Sequence, residues 1–229
     1  MQVVVVSSPG SGGQPHWSHE QAAAFARAAV ARSAWVRWLV ALHAGQPVPA
    51  AERGLQVFPC RERAHLRLDQ VQKSLVDAPL ERALTECLRE QPLSAVVHFG
   101  LGGHGSPNLL WLADRLGSPT FAVVRGRELV CHRGDLFDRD RRVCTRWHDA
   151  GRCRWCCTTS WRRRPRSLDL VNRTDLCIAS LQTCASVHVA ADEDVPFVTG
   201  LGIARERVVV GASTDDLAAH VAAALRPAR

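Results

Sequence analysis

The chain of 229 residues has no tyrosine, one methionine and a single lysine, Lys73. Its formal charge of +7 therefore comes from arginine, and this compositional bias weakens any conclusion drawn from the isoelectric point. No run of about eighteen uncharged apolar residues occurs, which argues against a membrane-spanning helix. The opening residues Met1–Pro9 lack the basic segment of a signal peptide, so we expect a soluble, cytoplasmic protein.

A hydrophobic content of 46% over 229 residues is enough to bury one sizeable core, and we expect a single domain over residues 1–229. Short apolar runs alternate with segments of helical spacing, which predicts a Rossmann-like α/β fold whose parallel sheet is covered by helices on both faces. The predicted strands are 3–6, 36–42, 54–60, 94–100, 120–124, 174–180 and 207–211. The predicted helices are 80–90, 107–116, 182–191, one that a capping box at Ser18–Gln21 begins, and one after Ser213.

Residues 127–166 interrupt the alternation as a cysteine-rich loop inserted into the fold. From Arg125 to Arg166, thirteen arginines stand against five acidic residues, an excess of eight positive charges, so the rest of the chain is nearly neutral. Five of the nine cysteines lie between Cys131 and Cys157, and their odd total and uneven spacing do not fit a disulfide framework. The remaining four stand among apolar residues and are predicted to be buried in the core: Cys60, Cys87, Cys177 and Cys184.

The spacing within the insertion favours a metal site. Cys153 and Cys156 form a C-x2-C pair whose two thiolates can share one tetrahedral Zn²⁺, and Cys131 and Cys144 would complete a closed structural site. The gap of twelve residues between Cys131 and Cys144 is not that of a standard zinc finger. Reduced buried thiols and a redox-labile pair are the competing interpretations. Two histidines are alternative ligands: His132 and His148.

Ligands of open parallel sheets bind beyond the carboxyl ends of the strands, where this chain has two glycine-rich turns. Gly12 and Gly13 follow the first strand, and absent side chains there would let backbone N–H groups approach an anion, although a flexible turn is equally compatible with the sequence. His98 ends the fourth strand and His104 lies in the turn after it. Either imidazole could orient a sugar hydroxyl or phosphate or carry a proton, or it could be a structural histidine.

The insertion resembles a known protein family. Leu129–Cys144, followed by Arg152–Cys156, is similar to the cysteine-bearing segment of a subset of glycosyltransferase family 4 enzymes, which have the GT-B fold. The resemblance is concentrated in residues 94–211. Four further segments are similar to elements of the family's N-terminal, acceptor-side domain: 95–100, 108–119, 174–180 and 201–210.

The resemblance implies a substrate site with one conspicuous change. Gly12 and Gly13 would face the diphosphate of a nucleotide-sugar, and a sugar, glycan or lipid acceptor would lie over the same sheet edge. Arg125 and Gly126 occupy the positions of the family's His-Asp pair. An arginine cannot accept a proton, but it can hold a phosphate or carboxylate, so Arg125 is a candidate substrate-binding residue and the catalytic residues stay unassigned.

The resulting hypothesis is the acceptor-side half of a retaining, hexosyltransferase-type enzyme that works with a separately encoded donor-binding domain. A degenerate, non-catalytic binding module is the alternative that Arg125 favours. A third interpretation is zinc-supported nucleic-acid binding through tryptophans that stack bases among the arginines. We favour nucleic acid less than a solvated arginine-rich loop whose tryptophans pack onto the sheet. The tryptophans concerned are Trp147, Trp155 and Trp161.

Overall fold

The computed structural model describes residues 1–7, 17–42, 45–61, 75, 77–91, 94–101, 106–132, 136–137, 140–145, 149–161 and 166–225. Its centre is a seven-stranded parallel sheet with the order β3-β2-β1-β4-β5-β6-β7. The strands are β1 (Gln2–Ser7), β2 (Trp35–Leu42), β3 (Leu55–Arg61), β4 (Ala95–Phe99), β5 (Thr120–Val124), β6 (Ser186–Val189) and β7 (Val208–Val210). The predicted Rossmann-like α/β fold is confirmed.

Eight α-helices are seen in the described ranges. They are α1 (Trp17–Ala31), α2 (Ala78–Glu90), α3 (Asn108–Arg115), α4 (Gly126–Val130), α5 (Ala150–Trp161), α6 (Ser167–Thr183), α7 (Val195–Gly200) and α8 (Thr214–Ala224). Two short 3-10 turns, Asp192–Asp194 and Arg205–Arg207, precede α7 and β7. None of the helices in these ranges is long and apolar enough to cross a bilayer.

Apolar side chains leave the sheet on both faces. On one face, β1, β2 and β4 pack against α1 and α8, with Phe25 and Phe99 in ring contact at a centroid distance of 5.6 Å. On the other face, the alternate residues of the same strands pack against α2 and α3. A third cluster joins β5 and β6 to α4, α6 and α7. Central strands buried on both sides explain why their sequences are nearly continuous apolar runs.

Two predicted elements between residues 174 and 191 are wrong. Thr174–Ser180 lies inside helix α6 and is not a strand, and the predicted helix over Gln182–Ala191 instead contains strand β6. The buried residues of α6 recur every three or four positions, which is a helical period. A short apolar run does not distinguish a buried strand from a buried helix, and here the helix is the longer element.

The predicted starts of two other helices, α1 and α8, agree with the structure in one case and not in the other. Helix α1 already includes Trp17 and Ser18, so the predicted capping box at Ser18 is wrong, and Ser18 is fully buried. At α8, Ser213 and Asp216 do form a capping box. The four cysteines predicted to lie in the core, Cys60, Cys87, Cys177 and Cys184, are all at most 8% exposed, which confirms that prediction.

Candidate functional site at the carboxyl edge of the sheet

The carboxyl ends of β1 and β4 lie side by side, with Ser7 paired to Phe99. The strand order reverses between these two strands, and such a switch point is where open α/β sheets bind ligands. In the sequence, a glycine-rich segment that is predicted to be a turn follows each of the two strands. Gly12, Gly13 and His104, which the sequence places in these turns, lie outside the described residues.

Gly100 brings the start of α1 against the end of β4. Its φ of +78° is in the left-handed region, and a Cβ atom there would lie 3.0 Å from the Cβ of Ser18 and 3.7 Å from the indole of Trp17. A side chain at this position would be strained and would push α1 away. Glycine therefore allows Trp17 to reach the sheet edge.

Trp17, Arg125 and Glu128 form the polar cluster at this edge, which we call the edge cluster. The indole Nε1 of Trp17 donates a hydrogen bond of 2.8 Å to Glu128 Oε1. The guanidinium of Arg125, which immediately follows β5, lies 4.7 Å from the centroid of the Trp17 ring, within the range of a cation–π contact. The cluster therefore joins residues from α1, the end of β5 and α4.

Glu128 is a carboxyl group that is only 7% exposed. Burial raises its pKa, because desolvation disfavours the charged form, and the hydrogen bond from Trp17 and the charges of Arg125 and Arg127 oppose that rise. A buried carboxyl group with a raised pKa beside a cation is the kind of group that binding and catalytic sites contain. The edge cluster thus offers one cation, one aromatic face and one proton-accepting group.

Gly126 fixes helix α4 to the turn before α7. Its backbone N–H donates a hydrogen bond of 2.8 Å to Asp194 Oδ1. A Cβ atom at Gly126 would lie 2.5 Å from the carbonyl oxygen of Asp194, which is closer than real Cβ contacts allow. A glycine is therefore required here by close backbone approach, and this approach sets the position of Arg125 and Glu128.

His98 lies within β4, paired in register with Val6 and Ala122, and its side chain is fully buried. Neither ring nitrogen has a hydrogen-bond partner in the part of the chain that the structure describes. Burial lowers the pKa of His98 to about 3. The imidazole is therefore neutral at physiological pH, and its role in substrate binding stays a prediction.

A buried arginine contacts the backbone just after strand β4. Arg173 of α6 is 1% exposed and donates a hydrogen bond to the carbonyl oxygen of Leu101. His132, just beyond α4, is 6% exposed, and burial together with the charge of Arg173 lowers its pKa to about 3. The guanidinium of Arg173 on α6 thus contacts the backbone just after the carboxyl end of β4.

The four predicted metal ligands all lie in described parts of the insertion. Burial raises the pKa of Cys153 to about 12, and the thiols of Cys131, Cys144 and Cys156 add to the rise. Over the described ranges, no three His, Cys, Asp or Glu side chains are already placed so that they could hold a metal ion. Of the two alternative ligands, His132 is buried and His148 lies outside the described residues.

Sequence reasoning identified Arg125 but missed Trp17, Glu128 and Asp194. Trp17 and Glu128 are 111 positions apart, and only the meeting of β1, β4 and β5 brings them together. Their position in the sequence is the signal that could have identified them, because Arg125 and Glu128 follow a strand and the sites of parallel sheets form after strands. Of the predicted base-stacking tryptophans, Trp155 is 54% exposed, and the side chains of Trp147 and Trp161 are outside what the structure describes.

No family model and no curated protein sequence matches the chain. Among solved structures it is similar to a ugt transferase from Siraitia grosvenorii in complex with UDP, with a TM-score of 0.50 and 13% identity over 91% of this chain and 50% of that one. It is also similar to Os79 T291V from O. sativa in complex with UDP, with a TM-score of 0.51 and 14% identity over 93% and 52% of the two chains. The chain spans about half the length of these structures. At this identity the similarity shows the fold alone, which this chain shares with about half of each of the two structures.

Proposed function

We propose that the chain is the acceptor-side half of a nucleotide-sugar-dependent glycosyltransferase, and that residues 1–229 act as one domain. The donor-binding contacts come from a second domain outside these residues. The observation that carries the proposal is the edge cluster at the carboxyl end of a Rossmann-ordered sheet, in a fold similar to half of two UDP-bound transferases. The reaction proposed is retaining transfer of a hexosyl group to a sugar, glycan or lipid.

The edge cluster suits an acceptor that carries hydroxyl groups. The Trp17 indole offers an apolar face of the kind on which sugar rings pack, and the Glu128 carboxyl group can accept a hydrogen bond from a hydroxyl. Arg125 cannot act as a base, but it can hold a phosphate of the donor or of a lipid acceptor. We further propose that Gly12, Gly13, His98 and His104 line the donor side of the same edge.

A second domain is needed because one sheet edge leaves a substrate open to water. A cleft between two domains surrounds the substrates and excludes water from the reacting atoms, which one half cannot do alone. The purified chain is therefore expected to bind acceptor analogues without transferring a sugar. Turnover of UDP-glucose by the purified chain alone would contradict the proposal.

Ligand binding can be followed at Trp17 itself. In a ¹H–¹⁵N spectrum the Trp17 indole N–H, assigned by its loss in Trp17→Phe, should shift when alkyl glycosides or polyprenyl phosphates are added, because its partner Glu128 meets the ligand. The indole of Trp35, at the amino end of β2 and 43% exposed, is the matched control and should not move. A panel that moves neither resonance, or both equally, would count against an acceptor site here.

The non-catalytic alternative is a binding module that uses the same edge without chemistry, and Arg125 in place of a histidine favours it. The two functions separate when a donor-binding domain is supplied. The split enzyme then gives sugar transfer that Arg125→Gln reduces. Arg127→Gln, at an exposed position two residues further on in α4, leaves it unchanged. The binding module gives no sugar transfer.

Nucleic-acid binding is the least favoured function, and an affinity for single-stranded RNA that does not fall with salt would eliminate it.

A further inference from the structure

The segment from residue 137 to residue 171 exposes five large apolar side chains, by 40% to 69%. A single exposed apolar side chain is normal on a soluble protein, but a group of them on adjoining elements marks an interaction surface. The edge cluster includes none of the five, so they need an explanation of their own. They are Phe137, Val143, Trp155, Leu168 and Val171.

Two of the five lie side by side just before α5. Phe137 and Val143 form an antiparallel bridge, and the N–H of Cys144 donates to the carbonyl oxygen of Leu136 at 2.7 Å. Since that hydrogen bond joins the neighbouring positions, Phe137 and Val143 are a non-hydrogen-bonded pair, whose side chains lie close together on one face. They are 46% and 69% exposed, so this pair, which we call the bridge pair, has an apolar outer surface.

The third apolar side chain lies on the outer face of α5. Trp155 is 54% exposed, and Arg152, three positions earlier and therefore on the same face of the helix, is exposed as well. The thiol of Cys156 lies 3.7 Å from the carbonyl oxygen of Phe137, which places α5 against the bridge pair. An aromatic ring and a cation thus stand next to the apolar surface of the bridge pair.

Helix α6 packs against α5 and carries the other two apolar side chains. Leu168 and Val171 are three positions apart, share one face of the helix and are 60% and 40% exposed. Five residues join α5 to α6, which is a length that connects antiparallel neighbouring helices. We call the five apolar residues and Arg152 the insertion patch.

The positive charge of the chain is concentrated in the same segment. Residues 137–171 contain ten arginines, four aspartates and neither lysine nor glutamate, which gives +6 of the total charge of +7. The rest of the chain therefore carries only +1. Several of these arginines are exposed in the described structure: Arg141, Arg142, Arg152 and Arg166. The apolar side chains of the insertion patch thus lie in the cationic part of an otherwise nearly neutral protein.

We propose that the insertion patch docks the protein on an anionic lipid bilayer. Such a bilayer offers phosphate headgroups to the arginines and, directly beneath them, an apolar layer to the exposed side chains. Trp155 suits the headgroup level, where tryptophan is enriched. A nucleic acid would match the arginines, but its phosphate backbone offers no apolar partner to Val143 or Leu168. The proposal is independent of the proposed function, because no residue of the edge cluster takes part.

Sedimentation with vesicles tests the docking. The full chain should bind vesicles of phosphatidylglycerol and phosphatidylcholine in equal parts, and not vesicles of phosphatidylcholine alone. Its affinity for the mixed vesicles should fall at least about tenfold between about 0.05 M and about 0.5 M NaCl, because salt screens the attraction to the headgroups. Binding to both kinds of vesicle alike, or to neither, would overturn the proposal.

A matched pair of double variants locates the binding surface. Trp155→Ala/Arg152→Gln removes one aromatic ring and one cation from α5 and should weaken vesicle binding at least about tenfold. Trp35→Ala/Arg53→Gln makes the same exchange at the amino end of β2, where the two side chains line one open pocket, and should bind like wild type. Full binding by the α5 variant, or equal losses in the two variants, would contradict the assignment.

A further variant and a competitor keep this test decisive. Should the α5 variant unfold at a lower temperature than wild type by circular dichroism, Val143→Asp/Leu168→Asp, at two positions that are 69% and 60% exposed, should give the same loss of vesicle binding. Full vesicle binding by this second variant would count against docking. Single-stranded RNA that binds more tightly than the mixed vesicles at equal phosphate concentration would assign the surface to nucleic acid and overturn the proposal.

Tryptophan fluorescence distinguishes insertion from attraction by charge alone. Mixed vesicles with brominated acyl chains should quench the fluorescence of the wild-type chain. Trp155→Phe keeps an aromatic ring and should still bind, but part of the quenching should be lost with the indole. Quenching that Trp155→Phe leaves unchanged would show that this face does not enter the bilayer. Binding of alkyl glycosides at Trp17 is measured without vesicles, so failure of the docking and failure of the proposed function are distinguishable.

Discussion

The apolar interior beneath β1 and β4 and the edge cluster at the end of the same strands are held in different ways. In the interior, side chains such as Phe25, Phe99 and Phe121 are at most 1% exposed and contact one another without directional bonds. At the edge, contacts between Trp17, Arg125 and Glu128 include a hydrogen bond and a cation–π contact. The interior gains free energy from area removed from water, whereas the edge depends on geometry.

This difference indicates where stability and function reside. A polar cluster that buries a carboxyl group contributes little net stability, because desolvation offsets its hydrogen bonds. Substitutions in the interior should therefore unfold the protein, and substitutions at the edge should alter ligand response while the fold survives.

The largest effect is expected from Phe25→Ala. Phe25 is fully buried against Phe99, and its removal should lower the free energy of unfolding by about 3–5 kcal/mol through lost burial and the cavity left behind. Leu168→Ala on α6, where the side chain is 60% exposed, should change it by less than about 0.5 kcal/mol. Urea unfolding followed by circular dichroism measures both. Equal effects would mean that the interior is not the stabilising region.

Gly126→Ala tests the geometry of the edge. The new methyl group would lie 2.5 Å from the Asp194 carbonyl oxygen, so α4 must shift, at a cost of about 1–3 kcal/mol. The Trp17 indole resonance should move in the same variant, because Glu128 moves with α4. In Gly151→Ala on α5 the new methyl group would lie 3.3 Å from Asp149 Oδ1, and this variant should change stability by no more than about 1 kcal/mol. An unchanged Trp17 resonance in Gly126→Ala would contradict the linkage.

His98 lies between the two regions and gives a pH dependence. Its pKa is lowered from 6.5 to about 3 in the folded state, so the unfolded chain takes up the proton first as pH falls. The stability that His98 confers is therefore present above pH 6.5 and lost progressively toward pH 3. Between pH 7 and pH 5 the loss is about 2 kcal/mol.

His98→Leu should abolish this part of the acid sensitivity. Both ring nitrogens of His98 are without hydrogen-bond partners in the described structure, so the variant loses no hydrogen bond and should not weaken folding at pH 7 on that account. Equal slopes for His98→Leu and wild type over pH 5–7 would show that His98 is not the buried base.

The same contrast explains how much of the molecule the sequence predicts. Strand β5 was predicted to the residue at Thr120–Val124, because an apolar run buried on both faces carries its own signal. Thr174–Ser180 was assigned the wrong structure, since its local composition fits a strand as well as the helix that packing selects. Local sequence pattern predicts secondary structure well where the burial of a segment depends on that segment alone.

Local sequence patterns do not predict the edge cluster. Arg125 was found because it follows a strand, but the partner of Glu128 is 111 positions away, and the close approach at Gly126 depends on Asp194, 68 positions away. No period or motif links residues that meet only after the sheet has formed. The insertion shows the same limit: its cysteine spacing predicts a metal site, but in the described residues the four cysteines are not placed to hold an ion.

Glu128→Gln is expected to have the smallest effect on stability and the clearest effect on function. Glutamine keeps the acceptor for the Trp17 indole and removes the ionisable group. Because burial raises the pKa of Glu128 in the folded state, its contribution is most favourable below the ordinary glutamate pKa and is lost as pH rises through the folded value. The variant should therefore match or exceed wild type in stability at pH 8 and lose that advantage at pH 4.

Function should change in the opposite direction in the same variant. If Glu128 accepts a hydrogen bond from the acceptor hydroxyl, the amide, which is a weaker acceptor than a carboxylate, should weaken the ligand-induced shift at Trp17 at pH 8. Glu90→Gln, at an exposed carboxylate that pairs with Arg37 far from the edge, should alter neither ligand response nor its pH dependence. An acceptor affinity that Glu128→Gln leaves intact, together with a gain in stability at pH 8, would assign this carboxyl group to the buried structure of α4 and remove it from the site.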